Sequence, residues 1–390
     1  MRSVRSQTTP WSRCGSVTNV SQRLHKLPGT PSAVCVRHLR TSPVRPDCRR
    51  LSFCFEGSAR LCFVRSCVSL RHHLPKAWRR CLVILYQLWR WTNLPCSKRL
   101  KAIIPIWLPY YPSRIPQDVT NALYTISAST IDRLMRQDRF RFRKLGLSTT
   151  KPGSLLKKHI PIAKDQWDES RPGFLEVDSV AHCGSSAGGS FALTINCVDI
   201  ATTWTEQAAV WGKGETGVLK ALVNIENRIP FKLLGFDCDN GSEFLNWHIL
   251  HHYKNRKTPV HFTRSRPYFK NDNAHIEEKN WTHVRQYLGY QRFDKIELVA
   301  LLNDLFENEW RLYFNFFIPS VKLIDKIRDG SKIRKKYDPP RTPFQRVLES
   351  PALPEEQKVK LKTLFSTLNP IQLRDTMHKK ITQIQKIAIQ

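Results

Sequence analysis

Apolar and polar positions follow two rhythms along this chain, and the change of rhythm marks its parts. Three runs, "GFLEVDSVAHC" (173–183), "SFALTINCVDI" (190–200) and "WTEQAAVW" (204–211), read as strands joined by short turn-rich links, as in a meander. "GETGVLKALVNIENRI" (214–229) has apolar residues at 218, 219, 222, 223 and 225, which is a helical spacing. "FKLLGFDCD" (231–239) is a short apolar run bounded by turn signals and reads as a buried strand. The pattern then predicts a helix over about 242–255, a strand at "PVHFTRS" (259–265), a helix over about 273–288 and a longer one over about 295–314. Three strands followed by alternating helices and strands specify an α/β class, a mixed sheet flanked by helices.

Before residue 173 the rhythm is helical or absent. Residues 1–80 are rich in Arg, Ser, Cys and Pro, hold only Asp47 and Glu56 as acids, and sustain neither period. A folded helical module is expected from residue 81, with runs punctuated by Pro95, Pro105 and Pro109. Within it "DVTNALYTISASTIDRLMRQ" (118–137) predicts helix, short turn, helix. Ser127 or Ser129 is the N-cap, Ile131, Leu134 and Met135 form the apolar stripe, and Thr130, Arg133 and Arg136 face outward. That outline suits a helix-turn-helix whose second helix enters the major groove, although most helix pairs bind nothing. Residues 141–170 read as a basic linker, and 321–390 as a basic helical region.

Charge sharpens this division. The 390 residues carry a formal charge of +31, which favours a polyanionic partner. Residues 1–164 hold 31 basic and 5 acidic residues, 165–330 hold 19 and 22, and 331–390 hold 13 and 5. Basic flanks around a near-neutral centre are often only solvated, but flanks that grip a phosphate backbone beside an acidic catalytic centre have the same composition. The apolar stretches at 81–89 and 102–111 fall short of the roughly 18–20 residues of a membrane span. No signal peptide is read, and the expected location is cytoplasmic, with the nucleoid. Seven of the eleven cysteines lie in residues 1–81 without zinc spacing, and Cys183, Cys197 and Cys238 are expected as free thiols.

Three acids stand at element ends or on a helix that can bring them together: Asp178 in "EVDSV", Asp239 in "DCDNGSEF" and Glu277 in "NDNAHIEEKNW". Each alone has an ordinary explanation as a strand end, a turn or a solvated helix residue. Converging at one sheet edge, they form the oxygen-rich set that hard divalent cations take. "DNGSEF" followed by "RSRPYFKNDNAHIEEKNW" resembles the catalytic core of integrase-type DDE transposases of bacterial insertion sequences, relatives of retroviral integrases. "TPFQRVLES" (342–350) is similar to the tail of a bacterial transposase group.

The resemblance implies an RNase H-like fold over about 171–320. It implies two Mg²⁺ or Mn²⁺ ions held by Asp178, Asp239 and Glu277. Glu277 is preferred to Glu278 because the family's helix reads Glu-x-x-Asn and Asn280 completes that spacing. It also implies DNA as partner, both element terminal repeats and target, with no membrane and with a homo-multimer assembled on the DNA. Asn240, Arg264, Arg266, Tyr268, Lys270 and Asn280 join Thr130, Arg133 and Arg136 as DNA-contacting candidates, with Arg264 to Lys270 expected in a loop. His275, Lys279 and Trp281 flank the site with weaker claims, and Asp237 and Glu243 are read as structural, Glu243 at the start of the next helix.

The expected activity is metal-dependent cleavage at element ends and strand transfer into target DNA. A nuclease or resolvase that hydrolyses without joining, and an inactive DNA-binding remnant, are the alternatives. Residues 1–80 do not look like the helix-turn-helix domain such transposases carry. Their bias resembles translation of a wrong frame, so a frameshifted or mis-started copy is expected.

Overall fold

The computed structural model describes residues 75–142, 170–238, 241, 243–264, 274–329 and 332–390. Residues 1–74 of the atypical segment 1–80 and most of the expected linker lie outside the described residues, while the end of that segment already belongs to a helix, Lys76–Trp91, so the helical module starts before residue 81.

Five strands form the central sheet: β1 (Phe174–Ala181), β2 (Ala192–Asp199), β3 (Thr205–Trp211), β4 (Gly235–Cys238) and β5 (His261–Arg264). Their order is β3-β2-β1-β4-β5. β1 runs antiparallel to β2 and β2 antiparallel to β3, whereas β4 lies parallel to β1 and β5 parallel to β4. A three-stranded meander extended by two short parallel strands and covered by helices is the RNase H-like arrangement. β2 is buried at every position, including its polar residues Thr194, Asn196 and Asp199. β4 begins only at Gly235, later than the apolar run suggests. The chain first crosses beneath Gly173, whose φ is +122° and where a Cβ would sit 2.5 Å from the Lys232 carbonyl oxygen. Only glycine fits that crossing.

One face of the sheet packs Leu175, Val177, Leu193, Ile195 and Cys197 against α5 (Glu215–Arg228) and α6 (Trp247–Lys254). The other face belongs to a larger core that begins with Val180, Ala209 and Trp204. It takes in α7 (Ala274–Lys279, continuing through a π-helical segment Asn280–Arg285 to Gln286–Leu288). It also takes in α8 (Glu297–Leu305, a π segment Phe306–Trp310, then Arg311–Phe317).

The same core includes the N-terminal helices α1 (Lys76–Trp91), α2 (Ser97–Trp107), α3 (Gln117–Thr125) and α4 (Ala128–Arg141). Polar ties run between the two groups of helices: Trp107 Nε1 donates to the Phe317 carbonyl at 3.0 Å, Tyr313 to that of Trp91 at 2.8 Å, and Arg99 to that of Pro319 at 2.7 Å. Pro105 does not break α2. It sits within the helix on an exposed position, as does Lys101, whose carbonyl loses its helical donor there. Ser127, not Ser129, caps α4 by accepting from the Thr130 N–H at 3.1 Å.

Edge strand β3 is closed by side chains. Asn315 accepts from the Thr205 N–H and donates to its carbonyl, at 2.9 and 2.8 Å, and Asn303 does the same at Ala209, at 2.7 and 3.0 Å. Between them Arg228 donates to the Gln207 carbonyl at 2.6 Å. Alternate residues of the edge therefore find partners without a neighbouring strand.

The region after α8 departs from the helical expectation at its start. A two-stranded ribbon, β6 (Leu323–Asp329) and β7 (Lys332–Tyr337), precedes α9 (Pro343–Glu349), α10 (Glu355–Thr367) and α11 (Pro370–Ile389). Its Asp325 and Asp329 interrupt the apolar spacing of a strand, so the sequence pattern conceals it.

Candidate active site

β1 carries Glu176 and Asp178 on the face that meets α7. Two residues along a strand advance about 6.6–6.8 Å, and four along a helix about 6 Å. The two carboxylates therefore match one turn of helix. Glu176 Oε2 accepts the Ile276 N–H at 3.0 Å, which caps the start of α7, and Asp178 Oδ2 accepts from Asn280 Nδ2 at 2.6 Å, one turn on. Glu277 lies between these two anchors and is exposed. At roughly 100° per residue, Glu277 stands about 60° around the helix from Asn280, and Glu278 about 160°. Lys279 is buried on another side of the helix, and burial pushes its ammonium down to about 8, with Arg99 and Arg346 adding to the shift and Glu278 opposing it.

The amides behind Asp178 form a directed chain. Gln207 Nε2 donates to Asn196 Oδ1 at 2.9 Å, Asn196 Nδ2 donates to Asn280 Oδ1 at 2.8 Å, and Asn280 donates onward to Asp178. A carboxylate accepts only, so its end of the chain orients every amide in it. Asp178 Oδ1 also accepts the Ser179 N–H at 2.7 Å. The sequence pattern does not single out Asn196 or Gln207. The signal available is an amide at a mid-strand position, Asn196 in "ALTINCVD" and Gln207 in "TEQAAVW".

The neighbouring strands place further acids. Asp237, in register with Glu176 on one side and Thr263 on the other, is 3 % exposed and accepts from Thr263 Oγ1 at 2.5 Å. It is a buried strand residue, not a solvent-facing end. Glu243 does not begin a helix: α6 starts at Trp247, capped by the Asn246 side chain on the Ile249 N–H at 3.0 Å. Glu243 is instead buried, accepting from Ser179 Oγ at 2.6 Å and Lys213 Nζ at 3.0 Å. Burial opposes its charge, but the Ser179 hydroxyl and the Lys213 ammonium hold its carboxyl below the usual range.

Arg264 does not stand in the expected loop. It is the last residue of β5, opposite Cys238, and 7 % exposed. Asp239, Asn240, Arg266, Tyr268 and Lys270 lie outside the described residues. On α4, Arg133 and Arg136 are exposed and Thr130 half-buried beside the cap, while Ile131 and Met135 are buried.

Among the described residues no group of three or more His, Cys, Asp or Glu side chains is arranged to hold a metal ion. The donor chemistry suits a hard cation nonetheless. The donors at this edge that the structure describes are carboxylate oxygens, Asp178 on β1 and the exposed Glu277 on α7. Among the described residues, no helix is long and apolar enough to cross a membrane, and Cys81, Cys96, Cys183, Cys197 and Cys238 form no disulfide.

The sheet order, the strand directions and the acid-bearing β1 docked on α7 define an α/β protein of RNase H-like fold. The chain belongs to the same family as the "Uncharacterized protein y4rM" of Sinorhizobium fredii (strain NBRC 101917 / NGR234), to which it is 38 % identical over 272 residues, 67 % of this chain and 75 % of that one. No protein-family model matches it. Solved structures similar to it include the catalytic core domain of BIV integrase, at 17 % identity and a TM-score of 0.29 over 48 % of this chain and 98 % of that one. Another is a chain of the simian T-cell lymphotropic virus intasome in complex with PP2A regulatory subunit B56 gamma, at 12 % identity and a TM-score of 0.32 over 60 % and 70 %.

Proposed function

We propose that this protein cuts and joins DNA as an integrase-type transposase, with Asp178, Asp239 and Glu277 holding two Mg²⁺ or Mn²⁺ ions. The observation that carries the reading is the contact of Asn280 with Asp178, which docks the Glu-x-x-Asn helix on the strand bearing the first acid. Asp239 follows Cys238 directly, and Cys238 is the register partner of Val177, the residue before Asp178. Bound ions would polarise the scissile phosphate and favour the deprotonated attacking oxygen.

The protein's own residues hold and orient. Ser179 and Asn280 fix the Asp178 carboxylate by a donor on each oxygen, and Glu176 fixes the helix that carries Glu277. Arg266, Tyr268 and Lys270 would hold the DNA end by phosphate contact and stacking, and Asn240 would contact it too. Thr130, Arg133 and Arg136 present a second contact on α4. Water opens the phosphodiester at the terminal repeat, and the freed 3′-hydroxyl then attacks target DNA at the same carboxylates. Pairing two ends calls for a homo-multimer.

Cleavage and strand transfer of a terminal-repeat oligonucleotide with Mg²⁺ test the reading. Asp178→Asn, Asp239→Asn and Glu277→Gln are each expected to fall to background and to weaken Mn²⁺ binding measured by calorimetry, whereas Glu278→Gln keeps both. Asn280→Ala should cost about 10–100-fold, the usual effect of removing a group that orients a ligand. Activity surviving in Asp239→Asn would overturn the assignment, and cleavage without joining would leave a nuclease.

A further inference from the structure

Where α2 meets α4, exposed cations of both helices gather around one hydrogen bond. Ser97 Oγ, at the start of α2, donates to Asp132 Oδ2 on α4 at 2.7 Å. Arg139 pairs with the same carboxylate and donates to the Pro95 carbonyl at 3.5 Å, just ahead of α2. Lys98 follows Ser97 and Lys101 lies one turn on, about 6 Å along the axis, and Arg133 and Arg136 stand in the same way to Asp132. All four are exposed. Among the described residues of the two helices Asp132 is the one exposed acid, since Asp138 is buried, and Arg139 already balances it. The joint surface is therefore cationic, and a polyanion complements it.

A helix-turn-helix lays its first helix across the DNA backbone while the second enters the groove. α3 is poorly made for that part: Gln117–Thr125 has neither Lys nor Arg, and it exposes Asp118. α2 has the charges that α3 lacks. Its opposite side is fixed to the body of the protein, with Leu100, Ile103, Ile104 and Trp107 buried. Trp107 and Arg99 bond the carbonyls of Phe317 and Pro319. The lysine side of α2 is thus held in a set place beside α4.

We infer that α2 is the phosphate-gripping helix of a two-helix surface for duplex DNA, with Lys98 and Lys101 on the backbone beside Arg133 and Arg136 of α4. Ammonium groups on a backbone position the protein without reading sequence, so α2 contributes affinity and salt dependence. Self-association through this surface would oppose cations to cations. The inference rests on the DNA partner of the proposed function and on its α4 contact, but not on its metal chemistry.

The test is binding of the full chain to a mixed-sequence duplex oligonucleotide, read by fluorescence anisotropy in EDTA across a salt titration. Lys98→Gln and Lys101→Gln together should flatten the slope of log affinity against log salt by about 2, near 0.9 for each phosphate that is no longer neutralised. The charge-preserving pair Lys98→Arg and Lys101→Arg should retain the wild-type slope. So should Lys379→Gln with Lys386→Gln, which removes two exposed lysines from α11. An unchanged slope in the α2 glutamine pair overturns the inference. An equal flattening in the arginine pair, which would trace the effect to shape, or in the α11 pair, which would trace it to net charge, overturns it as well. If Arg133→Gln with Arg136→Gln flattens the slope while the α2 pair does not, the α4 contact stands and α2 has no part in it. No cleavage occurs in EDTA, so failure of the Asp178 chemistry leaves this result untouched, and a silent α2 leaves that chemistry standing.

Discussion

Glu176 and Asp178 differ by two positions, and each does something a single strand-end acid could not. Together they fix the register of α7, the helix that carries Glu277, through one backbone N–H and one amide side chain. Glu243 works at the same scale on the opposite face of β1, tying the segment after β4 to Ser179 and Lys213. Its carboxyl is held below the ordinary value of 4.5, so the fold favours the charged form. That contribution is present above pH 4.5 and is lost as pH falls through the lowered native value. Thermal melting of Glu243→Gln should show a loss of about 1.5–3 kcal/mol at neutral pH, the range for hydrogen bonds to a charged group. The gap from wild type should close in acid. A gap that widens below pH 4.5 would contradict the direction of the shift.

At the scale of elements, the sheet depends on two asparagines of α8 that stand in for an absent strand. An unpaired buried backbone group costs roughly 1–3 kcal/mol, and Asn315 satisfies two of them at Thr205. Asn315→Leu keeps the volume but removes both bonds. It should lower the melting temperature and raise aggregation measured by light scattering, because the β3 edge becomes open to another chain. The motif "TPFQR" has an equally local meaning. Thr342 and Gln345 form a capping box on α9, and the helix then delivers Arg346 to Asp338 at the root of the ribbon. Its resemblance to a transposase tail thus falls on residues that anchor the base of the ribbon.

Across the whole molecule, helices before and after the sheet share one apolar core. Residues of α1 to α4 pack with α8, α9 and α11, and Trp107, Tyr313 and Arg99 tie the two groups through backbone carbonyls. A fragment of residues 170–390 would uncover the side of α8 that meets Trp107. It should bind a hydrophobic dye and elute as aggregate, whereas residues 75–390 should stay soluble. A soluble, well-folded 170–390 fragment would show that the helices form a separable domain.

Periodicity alone revealed the α/β class, the meander and the helices around it, because burial imposes a period of two or near 3.6 on any sequence that folds this way. The Glu-x-x-Asn spacing of Glu277 and Asn280 likewise stood in the sequence, and Asn280 meets Asp178 in the structure. What only the tertiary structure decided was partnership. Asn196 and Gln207 orient Asp178 through Asn280, Glu243 leaves its expected helix for Ser179, and Arg264 ends a strand instead of opening a loop. The ribbon at 323–337 became visible only through its pairing. Such pairings join residues far apart in the chain, and hydrogen bonds and charges act over a few ångströms of space, a distance that sequence order does not record.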